Sequence, residues 1–215
     1  MYRIRIRFCR GPELKFISHL DIMRMWHRVF QRAGIPLAYS EGFNPQPRVA
    51  LAAPLAIGIT SEAELMDVFC AKWVSPHYLV EAVSSQLPQG IKILQALPVP
   101  LTQPSLQAMI RFAHYRVEVV TDENEEQLQQ SLDSMLALEH LPWQHQRDTG
   151  TRNYDLRPLV DELFLAGCEQ GKATIEMCLR CDSGGSGRPE QVVKALGLEE
   201  RPCAIHRTRL TLKAG

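Results

Sequence analysis

The sequence has no net charge: 24 Lys and Arg balance 24 Asp and Glu over 215 residues. That balance excludes the strong non-specific attraction to nucleic acid that a basic protein has. It also lacks an apolar run long enough to span a bilayer and a basic-then-apolar leader, so a cytoplasmic protein without a membrane role is expected. The six cysteines have no regular spacing, which argues against a disulfide scaffold and fits a reducing compartment. Four motifs of catalysis and cofactor binding are missing. No C-x-x-x-C-x-x-C holds an iron–sulfur cluster, and no Walker lysine with Ser/Thr follows a glycine-rich loop. There is no G-x-G-x-x-G for a dinucleotide and no G-x-S-x-G for a serine nucleophile. No cofactor is expected.

Cys178-x-x-Cys181, with Cys168, Cys203 and His206 in reserve, has the spacing of a zinc ligand pair. It falls within an expected strand, where residues three apart point to opposite faces. Unligated thiols, and no metal, are therefore expected.

What is present is unevenly distributed. Residues 1–48 hold eight Arg and Lys15 against Glu13, Asp21 and Glu41, a net +6. Residues 118–139 hold seven acids and no Lys or Arg. A negatively charged partner would prefer the first half. Tyr2–Phe8 alternates apolar and basic, predicting a strand with Tyr2, Ile4, Ile6 and Phe8 inward. Arg3, Arg5 and Arg7 would then form an outward row suited to phosphates or to solubility.

Ser18 with Asp21 is a capping pattern that starts a helix near His19, and Gly34 ends it. Leu20, Met23, Trp26 or His27, Phe30 and Ala33 form its expected buried stripe. Arg24, Arg28 and Arg32 recur every four residues on an exposed face. Further strands are expected at 37–40, 49–57, 65–70 and 91–96, with a turn at 60–62 and a helix over 76–87. The resulting order is β-α-β-β-α-β. A proline-rich connector leads to a second half with strands at 111–120, 172–180 and 203–212 and helices at 124–138 and 189–196. The segments 142–147 and 154–165 lie between them, with 157–165 either strand or short helix. The expected fold class is α+β, two tandem ferredoxin-like units with antiparallel sheets, over residues 1–98 and 105–215.

Chemistry-bearing residues are densest between Leu14 and Arg48. Lys15, Arg24, Arg28, Arg32 and Arg48 are candidate phosphate contacts, and Tyr39 or Phe43 could stack a base. Ser18, Asp21, Ser40, Phe43 and Asn44 complete the motif surface. His19, at the positive end of a helix dipole, is favoured neutral, as a general base requires. With Tyr39, Ser40 and Lys15 nearby in sequence, it is the candidate catalytic residue of a metal-independent ribonuclease, Tyr39 being its partner. Far along the chain, GGSGRP precedes a helix as an anion cradle would, with Arg188 adding charge.

FISHLD, RAGIP, AYSEGFNPQP and GSGRPEQVVKALG together resemble the radical-SAM-associated family of unknown function (domain of unknown function 2344). The resemblance covers nearly the whole chain. It implies a protein that stands alone or is joined to the C-terminus of a radical-SAM protein, with an RNA-related role shared with that partner. Many relatives have N-P-H-P where this chain has Asn44-Pro45-Gln46-Pro47, so a role for that histidine does not apply here. In layout the chain is also similar to CRISPR repeat-processing endoribonucleases. Three functions follow as expectations. The first is an RNA-binding or substrate-presenting accessory module in RNA modification or processing, partnered by RNA and a radical-SAM enzyme. The second is a metal-independent endoribonuclease, and the third a docking scaffold for the radical-SAM protein.

Overall fold

The computed structural model describes residues 1–147, 150–198 and 202–213, so residues 148–149, 199–201 and 214–215 of the expected 105–215 domain fall outside it. The chain divides into two compact units, Met1–Ile110 and Arg111–Gly215. Each mixes helices with a mostly antiparallel sheet. No helix among the described residues is long and apolar enough to cross a membrane.

In the first unit the elements are β1 (Tyr2–Arg10), α1 (His19–Arg32), β2 (Val49–Leu51), β3 (Ile59–Cys70), α2 (Pro76–Ser84), β4 (Ile91–Val99) and the short α3 (Leu106–Met109). The strands lie in the order β4-β1-β3-β2, each antiparallel to its neighbours. The period-two pattern of β1 places Ile4, Ile6 and Phe8 at 0%, 0% and 1% exposure. Ile22, Trp26, Val29 and Phe30 of α1 share their core. Trp26 meets Phe8 edge-on at 5.0 Å and stacks with Phe30 at 5.4 Å.

That packing corrects the expected stripe of α1. Leu20 is exposed, because it lies about 200° around the helix from Ile22, away from Trp26. Tyr2 is exposed too, at the strand's end, edge-on to Trp73.

A second correction concerns the arginine row. Arg3 and Arg5 are not an outward row, because β3 brings Asp67 opposite Arg5. Asp67 accepts from Arg3 Nε and Arg5 Nε, each at 2.8 Å. Arg3 also donates to the carbonyls of Gln103 and Pro104, beyond β4, at 3.0 and 2.9 Å. Arg7 alone of the three remains at the surface.

The 49–57 strand stops at Leu51, since Pro54 has no N–H for a ladder. Residues 60–62 are not a turn but the start of β3, where Ser61 pairs with Arg10. Residues 37–40 make only isolated bridges, Leu37 with Cys70 and Tyr39 with Pro47. Two prolines in the facing loop leave too few donors for a strand.

The second unit contains β5 (Ile110–Val120), α4 (Glu125–Ala137), a hairpin of β6 (Pro142–Arg147) and β7 (Gly150–Asp155), β8 (Val160–Glu169), β9 (Lys172–Asp182), β10 (Gly185–Ser186), α5 (Pro189–Ala195) and β11 (Ala204–Leu212). A 3₁₀ turn at Arg157–Leu159 leads into β8, so residues 157–165 are helix and then strand. β9 lies between β5 on one side and β8 and β10 on the other, and β11 flanks β5. Without the hairpin and the two-residue β10, the order fourth-first-third-second seen in the first unit recurs. Asn124 and Gln127 form a reciprocal capping box on α4, which buries Leu128, Leu132 and Met135 and leaves its acidic face exposed.

Candidate functional site

The start of α1 is fixed from two directions. Ser18 Oγ accepts from the N–H of Asp21 at 3.2 Å and donates to Asp21 Oδ2 at 2.7 Å. Asp21 in turn pairs with Arg24 at 3.0 Å. The Ser18 hydroxyl first, and then Arg24, hold the Asp21 carboxyl below the usual carboxylate range. Beneath the preceding turn, Arg10, 3% exposed, donates to the carbonyl of Leu14 through Nε and Nη2 at 3.0 and 2.8 Å. Sequence reading missed this role of Arg10. Its signal is an arginine ending a strand just before a capped helix.

Arg24, Arg28 and Arg32 line one wall of a groove of ≈ 670 Å³, and Ser85, Gln86, Leu87 and Pro88, after α2, line another. Arg28 and Arg32 have no hydrogen bond or ion pair among the described residues. Arg28 and Arg32, four residues apart, with Arg24 held by Asp21 and Arg28 also within the field of that carboxylate, give the groove a positive wall able to contact successive anionic oxygens. The 85–88 wall was not recognised from sequence, although helices placed on one face of an antiparallel sheet must lie side by side.

The other motif residues are distributed as follows. Lys15 Nζ sits 5.0 Å from the ring of Phe16, and its carbonyl accepts from Gly58 N–H at 2.7 Å. His19, the first residue of α1, is partly exposed, and no hydrogen bond joins it to Tyr39 or Ser40 among the described residues. Ser40 closes the proline loop, its N–H donating to Gln46 O at 2.9 Å and its Oγ accepting from Gln46 N–H at 3.0 Å. Tyr39 and Asn44 are exposed at that loop, and Phe43 is fully so. Arg48 does not line the groove; its guanidinium lies over Phe69 at 5.0 Å and reaches Met1 Sδ at 3.3 Å. The structure thus groups Arg24, Arg28 and Arg32 and places Arg48 against β3.

Arg188 belongs to the second unit, beside His145 at 3.5 Å. The expected backbone cradle there is corrected. Gly184 N–H already donates to Asp182 at 2.7 Å and Gly187 N–H to the carbonyl of Arg180 at 2.9 Å.

Cys178 and Cys181 lie on β9. Burial and the nearby Asp161 push the Cys178 thiol up to about 12, so it stays protonated, 3.7 Å from Asp161 and 3.8 Å from His114. Burial, and then Arg209, lower the pKa of His114. Among the described residues, no group of His, Cys, Asp and Glu is arranged to hold a metal ion.

Residues 3–189 match the model of a family described as "Uncharacterized protein conserved in bacteria (DUF2344)". No curated protein matches the sequence. Among solved structures, the fold is similar to a chain in a crystal structure of a Cbf5-Nop10-Gar1 complex, with TM-score 0.56, 9% identity, and 99% of this chain and 50% of that one covered. It is also similar to a chain in the archaeal box H/ACA sRNP Nop10-Cbf5 complex, with TM-score 0.50, 11% identity, and coverage of 98% and 48%. The chain spans about half the length of these relatives, and at such identities the likeness is one of fold alone.

Proposed function

The chain belongs to the DUF2344 family of uncharacterized bacterial proteins, and from that premise we propose that it is an RNA-binding or substrate-presenting module acting beside a radical-SAM enzyme in RNA modification or processing. The observation that carries the RNA part is the groove beside α1, where Arg24, Arg28 and Arg32 line one wall against the single carboxylate of Asp21, and Arg28 and Arg32 make no ion pair among the described residues. Phosphates along a single strand would contact those guanidiniums, and the exposed Phe43 or Tyr39 offers a ring on which a base stacks. Two ferredoxin-like units are the architecture we assign, on the strand order shared by the two halves. An RNA role also agrees with the fold relatives, one of which is named as a box H/ACA sRNP. The radical-SAM partner follows from the motif resemblance.

The test is crosslinking of the purified protein to cellular RNA, followed by binding of the recovered fragment. Reversal of Arg24 and Arg28 to Glu should weaken binding by about tenfold or more. The dependence on salt should become shallower by about 0.7 per lost contact to single-stranded phosphate. Both side chains are exposed, so the thermal midpoint should stay near that of the parent. Unchanged binding refutes the groove.

A docking reading has its own observation: Phe16 and Leu20 of the FISHLD segment are 70% and 65% exposed. If they dock the radical-SAM protein, Phe16→Ser with Leu20→Ser abolishes co-purification, and nuclease leaves the wild-type complex intact. A complex that nuclease dissolves, or that survives both changes, refutes docking through this segment.

A further inference from the structure

In the second unit, the β6–β7 hairpin, the turn before β8, the loop after β9 and the side of α5 enclose a separate pocket of ≈ 290 Å³. The hairpin contributes His145, Arg152 and Tyr154, the strand and loop contribute Arg180 and Arg188, and α5 contributes Gln191. Three arginines stand against Asp155 in the lining and Asp182 beside Arg180, a local charge of +1 with the histidines neutral. Arg180 is taken up by Asp182 at 2.9 Å. Asp155, at the rim, is taken up by His140 at 2.7 Å and by the N–H groups of Leu141 and Arg157 at 2.8 and 3.0 Å. Arg152 and Arg188 have no carboxylate partner among the described residues. Arg152 lies 5.7 Å from the centre of the Tyr154 ring, and Arg188 is 3.5 Å from His145 Nε2.

A neutral donor lies among these cations. Gln191 is 7% exposed and accepts from the Tyr154 hydroxyl at 2.6 Å through Oε1. Its NH₂ group has no partner among the described residues. The wall carrying Arg188 is held by close packing rather than by a flexible linker. A Cβ on Gly185 would come within 2.5 Å of Leu159 Cδ2, and one on Gly187 within 2.8 Å of the Leu159 carbonyl. The glycines therefore let the loop press onto the turn before β8, presenting Arg188 from a packed backbone.

Two guanidiniums without a paired carboxylate suit an anion, and their planar forks suit phosphate oxygens. A phosphomonoester carries about −1.5 to −2 at pH 7, whereas each diester link of a nucleic-acid backbone carries a single charge. The volume lies near the lower end of the roughly 300–1,000 Å³ typical of ligand sites, which suits one sugar phosphate better than a polymer. We infer that this pocket binds a phosphomonoester, its phosphate held between Arg152 and Arg188 with the Gln191 amide as a third donor. It involves no residue of the α1 groove and stands whether or not that groove binds RNA.

The experiment is isothermal titration of the full chain with ribose 5-phosphate, ribose, and a short RNA bearing either a 5′-phosphate or a 5′-hydroxyl. Ribose 5-phosphate should bind saturably and ribose should not. Arg152→Glu and Arg188→Glu should each weaken binding by about tenfold or more. Arg188→Gln should do so more mildly, and Arg28→Glu should leave it unchanged. Both pocket arginines are exposed, so thermal midpoints should stay at the parent value, and Arg188→Gln is the variant to rely on if a reversal unfolds the unit. Tighter binding of the 5′-phosphorylated RNA than of its 5′-hydroxyl counterpart, a difference lost in Arg188→Gln and kept in Arg28→Glu, identifies an RNA end as the source. Equal binding of the two RNAs, with ribose 5-phosphate still saturable, identifies a free sugar phosphate. The inference is overturned if no phosphomonoester binds saturably, if ribose binds as well as its phosphate, or if binding is indifferent to changes at both Arg152 and Arg188.

Discussion

Replacing Asp67 with Asn removes the one carboxylate that holds both Arg3 and Arg5 while barely changing side-chain shape. The side chain of Asp67 is 1% exposed, that of Arg3 is 3% and that of Arg5 is 14%. Removing one member of a buried ion pair costs about 3–5 kcal/mol, because the remaining charge is left in a poorly hydrated place. Two features favour the lower end. Arg3 keeps the carbonyls of Gln103 and Pro104 at 3.0 and 2.9 Å, and Arg5 reaches water. The expected loss is therefore about 3 kcal/mol, read as a fall in the urea midpoint of about 1 M or more, at slopes of about 1–3 kcal/mol per molar. Combining Asp67→Leu with Arg3→Met removes two of the three charges, and most of the loss should be recovered. That double variant should also bind RNA like the parent, since Arg3 is a buried strut rather than a phosphate contact. An Asp67→Asn midpoint equal to the parent's would refute the reasoning.

Two further outcomes follow from the start of α1 and from the partly buried histidines. Ser18→Ala removes the N-cap of α1 and should cost about 1 kcal/mol by thermal unfolding; Ser18→Thr, which keeps a hydroxyl able both to accept from the Asp21 N–H and to donate to its carboxylate, should recover most of it. Burial lowers the pKa of His27, whose Nε2 has no partner among the described residues, and of His114. Both are therefore neutral in the folded state at pH values where the unfolded chain already binds a proton. Stability should hold above about pH 6.5, the unfolded value, and fall as pH drops from there through the lowered folded values. Urea midpoints measured from pH 7.5 to 5.0 test this, and His27→Gln should flatten the decline.

The first unit was legible where local rules agree with packing. The alternation of β1 and the Ser18 cap of α1 could be read directly, because each depends on neighbours within a few residues. The fate of Arg3 and Arg5 could not, since their partner Asp67 lies more than 60 residues away and reaches them only through strand pairing. A basic strand face looks the same in sequence whether it meets phosphate or a buried aspartate. For the groove, the arginine spacing showed one wall, while the Ser85–Pro88 wall required knowing how two helices lie together. The pocket of the second unit was hidden for a similar reason. Arg188 stood out beside its glycines, but Arg152 and Tyr154 are contributed by a hairpin about 35 residues earlier, whose strands carry no motif.

That hairpin makes its own two-stranded sheet and interrupts an otherwise repeated strand order. It is a graft on the scaffold. Among the described residues its strands pair only with each other, while Tyr154 and Asp155 tie it to α5 and to the turn before β8. A change confined to this one segment would alter what the pocket accepts and leave the ladder of the large sheet in place, much as a tool changes its bit and keeps its handle. A chimera carrying another relative's hairpin should fold on the same sheet with an altered choice of ligand.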